Sequence, residues 1–137
     1  MAYVALGLAF IASFLTWATV SVGSLSVSVS GTDGDGSLTA ILTIASAGLL
    51  AAARVTSTEP RRGLIIASLV AAVLALLIYL YDLIDVARVA GDNTATGSGF
   101  DLTVDASPGV GLYLGALGSL VAGGALVALL RKASSKP

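Results

Sequence analysis

RRGLIIASLVAAVLALLIYLYD, residues 61–82, carries the reading of the whole chain. Between Arg62 and Asp82 no residue bears a charge. At 1.5 Å per residue the uncharged run makes a helix of about 28 Å, close to the roughly 30 Å hydrocarbon core of a bilayer. Two arginines close it at one end, and Asp82 and Asp85 close it at the other. A stretch that is apolar all round and bounded by opposite charges is expected to cross a membrane, and its span is placed at 63–83.

Three further stretches meet the same standard, at 2–22, 37–53 and 109–130. The segment 37–53 is at the lower limit of roughly 17 residues and relies on Ser37 and Arg54 at the interfaces. All four are expected to be helices, because lipid offers backbone groups no hydrogen-bond partners. The first lacks a basic leader and a small-x-small cleavage site, so it reads as a retained span. The remaining pieces are outer loops at 23–36 and 84–108, an inner loop at 54–62 and a cytoplasmic tail at 131–137. The expected fold class is membrane all-α: a four-transmembrane-helix bundle with a small two-stranded extracellular β-element.

Composition points the same way. The chain has 137 residues, 56% hydrophobic and 11% charged, with a mean hydropathy of +0.97. A soluble domain is about 25% charged, so this surface calls for lipid as its solvent. With no Cys and no His, disulfide frameworks, thiolate chemistry, the usual zinc and haem sites and an imidazole base are excluded.

Charge placement sets the orientation. Arg54, Arg61 and Arg62 lie between spans two and three, and Arg131, Lys132 and Lys136 follow span four; only Arg88 lies elsewhere. By the positive-inside rule those six face the cytoplasm, with both termini. Asp33, Asp35, Asp82, Asp85, Asp92, Asp101 and Asp105 then face outward, and Glu59 inward. Trp17, Tyr79, Tyr81 and Tyr113 are expected as anchors at the outer interface, and Tyr3 at the inner one.

The outer loops carry strand patterns. Leu25, Val27 and Val29 alternate with Ser24, Ser26, Ser28 and Ser30, the period of a half-buried strand. Val20 and Val22 have the opposite parity, which predicts a bulge or bend at Gly23-Ser24. A turn over 31–36 follows, with Asp35 or Ser37 capping span two. The third helix is expected to continue to Val89. A Gly/Asn/Thr/Ser loop over 91–99 leads to a second strand in which Phe100, Leu102 and Val104 alternate with Asp101, Thr103 and Asp105. The two strands are expected to pair. Ser107 and Pro108 are read as the cap and first position of the last helix.

Two ladders of small residues mark helix-packing faces: Gly111, Gly115, Ser119 and Gly123 on span four, and Gly63, Ala67, Ala71 and Ala75 on span three. Such ladders bring helix backbones together where lipid removes the hydrophobic drive. They serve packing within the bundle or a seam between subunits, and a helix apolar on all sides leaves both open. Few ionisable groups lie mid-membrane, which weighs against a pump or secondary transporter. A pore between subunits would draw on Ser13, Thr16, Thr39, Thr43 and Ser46.

Asp33 and Asp35 are the weak candidates for a metal, in an Asp-Gly-Asp-Gly run like the start of a calcium loop. The third ligand and the downstream bidentate Glu are missing, so a tight turn is the expected role. Asp82 and Asp85 read as a solvated face and not a catalytic pair, with Arg88 in a surface ion pair. No nucleic-acid patch, cofactor motif or catalytic constellation is present, so no cofactor and no enzyme activity are expected.

The pattern Ser26 to Leu38, Tyr81 to Asp85 and Gly109 to Tyr113 resembles the small four-span membrane proteins of unknown function found in actinobacteria. The resemblance covers most of the chain and implies no activity. The topology is also similar to that of claudin-type tetraspan proteins, which carry a strand-bearing first loop and associate side by side. Those have a Trp and a Cys pair in that loop; this chain has no Cys, and its one Trp is Trp17. The expected function is a structural or interaction component of the cell membrane. It would contact membrane lipids and act as a homo-oligomer or as a subunit of a larger membrane complex. The alternative is an oligomeric channel or transport-complex component.

Overall fold

The computed structural model describes residues 1–56, 58–91, 96–97, 100–101 and 104–134. Asp92, Leu102, Thr103, Lys136 and the side chains of Glu59 and Asp101 lie outside the described residues, as does most of the loop expected over 91–99. The elements run α1 (Ala2–Ala12), β1 (Thr16–Val22), β2 (Leu25–Ser30), a 3₁₀ turn (Gly31–Asp33), α2 (Gly36–Val55), α3 (Thr58–Gly91), β3 (Thr96–Gly97), β4 (Phe100–Asp101), β5 (Val104–Pro108) and α4 (Val110–Ser134).

Three helices, α2, α3 and α4, are long and apolar enough to cross a bilayer. At 1.5 Å per residue they measure about 30, 51 and 37 Å. Their polarity is inverted relative to a soluble bundle. On α2 the buried stripe is Gly36, Thr39, Ala40, Thr43, Ser46, Leu50 and Ala53, while Leu38, Ile41 and Ile44 are exposed. Hydroxyls inside and branched aliphatics outside make an unfavourable arrangement in water and a natural one in lipid.

The first expected span, 2–22, is corrected. The helix ends at Ala12, about 16 Å long, and the chain turns through Ser13, Phe14 and Leu15 into β1. An uncharged run does not by itself distinguish helix from strand. Thr16, Thr19, Val20 and Val22 are β-branched and favour the extended form. The turn is held by main-chain bonds from Gly31 N to Leu15 O (3.0 Å) and from Gly109 N to Trp17 O (2.7 Å).

The sheet is corrected too. It has three strands, ordered β2-β1-β5, all antiparallel. The two expected strands do not pair with each other; β1, expected as helix, lies between them and supplies both with partners. The bend foreseen at Gly23-Ser24 is the β1–β2 hairpin turn, with Gly23 at φ 59°. Positive φ at the first turn position alone fits a type II′ hairpin, where glycine carries no steric cost. Pro108 is the last residue of β5 and not the first of a helix; α4 opens after Gly109. A separate pair, β3 with β4, joins Thr96 to Asp101 and Gly97 to Phe100.

The long third helix matches its expectation and runs past Val89 to Gly91. Helices α2 and α3 are joined by residues 56–57 alone, tighter than the inner loop drawn at 54–62. One core cluster, around Leu6, Leu50, Ile65, Ala72, Ala122 and Leu126, lies toward the end that bears Arg54. A second, of Trp17, Tyr79 and Leu112, lies under the sheet.

Candidate functional site

The buried polar groups converge on two places. Under the sheet, Ser13 Oγ lies 2.9 Å from Thr39 Oγ1 and 2.8 Å from Tyr79 Oη. The Tyr79 hydroxyl donates to the Ala9 carbonyl at 2.7 Å, and Thr39 Oγ1 donates to the Gly36 carbonyl at 2.9 Å. Three hydroxyls thus tie α1, α2 and α3 together at the point where α1 stops. Deeper in the bundle, Ser46 Oγ donates to Ser68 O (2.9 Å) and Ser68 Oγ to Ser46 O (2.8 Å). This reciprocal clasp joins α2 and α3 and requires their backbones to be close.

Trp17 sits on a β-bulge. Thr16 pairs with Ser30 and Ala18 with Val29, which leaves Trp17 as the extra residue. A bulge re-aims its side chain. The indole enters the bundle, donates from Nε1 to Ala12 O at 2.9 Å and meets the Tyr79 ring with centroids 5.2 Å apart. Tyr79 is fully buried. Of the four expected outer anchors, Trp17 and Tyr79 are therefore interior residues, whereas Tyr81 and Tyr113 are exposed. An indole or phenol with an internal hydrogen-bond partner does not need the headgroup region.

The α4 ladder faces inward over its first half. A Cβ at Gly111 would meet Trp17 and the Ala12 and Thr16 carbonyls; one at Gly115 would fall on the Tyr79 ring. Gly118, beside the ladder, lies against Ala5 and Ala9 of α1. Ser119 is buried with no hydrogen-bond partner for its hydroxyl among the described residues. Gly123 is half-buried near Leu69. The α3 ladder divides: Ala71 and Ala75 are buried, Gly63 and Ala67 exposed. The residues considered for a pore, Ser13, Thr39, Thr43 and Ser46, are at most 1% exposed and are hydrogen-bonded inside the monomer; Thr16 is half-buried on β1.

At the acidic end, Asp33 Oδ2 accepts from Ser30 N and Ser30 Oγ, each at 3.1 Å, which closes the 3₁₀ turn. Among the described residues no group of three or more acidic side chains is gathered as metal ligands, and Asp33 and Asp35 are not part of one. One carboxylate oxygen of Asp82 is buried without a hydrogen-bond partner among the described residues.

Two features had no clear signal in the sequence. Strand β2 is exposed along nearly its whole length, with Leu25 and Val27 at 74% and 64%, and its outer edge pairs with no described strand. At the opposite end, the Arg54 guanidinium stacks on the Tyr3 ring, 4.8 Å from its centroid. Arg54 shares one cavity with Arg61 and Lys132, and another with Met1, Arg131 and Lys132. Arg54, Arg61, Arg131, Lys132 and the N-terminus thus gather at one end of the bundle, with the sheet at the other. No protein-family model matches this chain, and neither a curated protein nor a solved structure matches it.

Proposed function

We propose that the chain is a multi-pass component of the cell membrane that works by association, through its outward sheet, with a second copy or with a larger membrane complex. The observation that carries this reading is β2. A strand that shows Leu25, Val27 and Val29 to solvent and has one edge unpaired among the described residues is the kind of surface proteins otherwise cover or charge. Strand addition would satisfy its free N–H and C=O groups and bury those aliphatics. The interior adds support, because its hydroxyls hold helices together.

In this reading α2, α3 and α4 each cross the bilayer. The fourth crossing is made by α1 and the turn that follows it, in which Ser13 is buried and Phe14 exposed. The irregular backbone at 13–15 is tolerable there because its N–H groups bond to the Ala9, Ile11 and Ala12 carbonyls and the Leu15 carbonyl accepts from Gly31 N. The termini and the basic residues other than Arg88 face the cytoplasm, and the sheet faces outward.

The test is the mass of the native complex in mild detergent. The wild type is expected to run above the monomer, and Val27→Lys, which places a charge on the exposed strand, to return it to the monomer. A wild type that is monomeric at every concentration and brings no partner with it defeats the proposal.

A further inference from the structure

At the basic end, two adjacent cavities of about 500 and 900 Å³ share Arg54, Leu129 and Lys132. Both sizes are within the usual range for small-ligand sites, roughly 300–1,000 Å³. Arg61 adds a third cation to the smaller cavity and Arg131 to the larger, and no carboxylate lines either among the described residues. The stack on Tyr3 holds Arg54 at the partition between them.

The larger cavity does not stop at the basic rim. It runs along Val121, Gly124, Ala125 and Ala128 of α4 and meets a third cavity of about 350 Å³, bounded by Val4 and Leu8 of α1 and Leu117 and Gly118 of α4. From Lys132 to Leu117 the furrow follows α4 for about 22 Å. One leaflet of hydrocarbon is about half of a roughly 30 Å core, so the furrow is deep enough to take a chain through it. Gly124 keeps it open, since a Cβ there meets nothing within 4 Å.

A cationic mouth on an apolar furrow at the membrane boundary fits an anionic amphiphile. We propose that this end of the bundle binds one anionic phospholipid, with its phosphodiester at Arg54 and Lys132 and an acyl chain in the furrow between α1 and α4. The site is independent of the sheet and of self-association. Basic pockets between membrane helices on the cytoplasmic side suit such headgroups.

Native mass spectrometry of the full chain in mild detergent tests this, with phosphatidylglycerol, phosphatidylcholine of the same acyl chains, and inorganic phosphate as probes. Phosphatidylglycerol is expected to be retained one per chain and phosphatidylcholine not, with millimolar phosphate failing to displace it. Arg54→Gln and Lys132→Gln are each expected to weaken retention about fivefold. Gly124→Leu, which changes no charge and whose Cβ would meet nothing within 4 Å, is expected to abolish it. Arg62→Gln removes a charge from the same end without touching either cavity, and should leave retention unchanged. The proposal is overturned if Arg62→Gln loses as much as Arg54→Gln, if Gly124→Leu keeps the lipid, or if phosphatidylcholine is held equally well. Displacement by phosphate alone overturns it as well, by showing an anion site with no part for the chain. Because Gly124→Leu keeps both Tyr3 and Arg54, it decides the matter even if Arg54→Gln fails to fold.

Discussion

Buried hydroxyls of the same chemistry have opposite consequences here, according to whether each finds an acceptor. Ser46 and Ser68 serve each other's carbonyls, so Ser46→Ala removes the bond to Ser68 O and the hydroxyl contact with Ser68 Oγ, and leaves the bond from Ser68 Oγ to the residue 46 carbonyl. Its expected cost is about 1–2 kcal/mol in thermal unfolding of the detergent-solubilised chain. Tyr79→Phe takes the donor from Ala9 O and a neighbour from Ser13, and about 1 kcal/mol of destabilisation is expected. Ser119 is equally buried but its hydroxyl has no partner among the described residues. Ser119→Ala removes an unserved polar group and is expected to raise stability by about 1 kcal/mol. A fall in melting temperature for Ser119→Ala would mean that the hydroxyl is served after all. Gly115 makes the steric counterpart: its missing side chain is the space that the Tyr79 ring occupies.

At the scale of the element, the β1–β2 hairpin shows how local turn chemistry and distant pairing divide the work. Gly23 takes φ 59° in a two-residue turn. Asn tolerates that conformation, whereas a β-branched residue pays about 1–2 kcal/mol for it. Gly23→Asn is therefore expected to melt close to wild type, and Gly23→Val to melt lower, by circular dichroism in detergent. Equal melting of the two would show that the turn opens without disturbing β1. The strand's other edge depends on β5, more than eighty residues away, through the register Thr19–Ser107 and Val20–Ala106. Because β1 is paired on both sides, its backbone is satisfied even though it begins beside the ends of membrane helices.

For the molecule as a whole, the separation of charge makes a topology that is testable without mutating any native thiol, because the chain contains no Cys. Ser28→Cys, on exposed β2, is expected to react with a membrane-impermeant maleimide in intact cells. Ser134→Cys, at the end of α4, is expected to react only after permeabilisation. Labelling of both in intact cells would place the two ends of the bundle on one side and defeat the four-crossing scheme. The contrast should survive the short first helix, since α1 starts among the basic residues and hands over to β1 beneath the sheet.

The sequence by itself determined what depends on runs and counts: the three long apolar helices, the continuation of α3 past Asp82 to Val89, the alternation that makes β2 a strand, and the clustering of every cation but Arg88 within 54–62 and 131–136. The tertiary structure alone decided the rest. Residues 16–22 look as apolar as a span, and they leave the helix because β2 and β5 supply ladder partners on either side, the second of them more than eighty residues away. Trp17 and Tyr79 carry the amphipathic rings expected of interface anchors, yet internal acceptors at Ala12 and Ala9 draw them inside. Which rungs of the Gly111 and Gly63 ladders face inward was hidden for the same reason. Over 63–81 and 110–130 the two helices are apolar on nearly every side, so their buried faces are chosen by their neighbours and leave little period in the sequence.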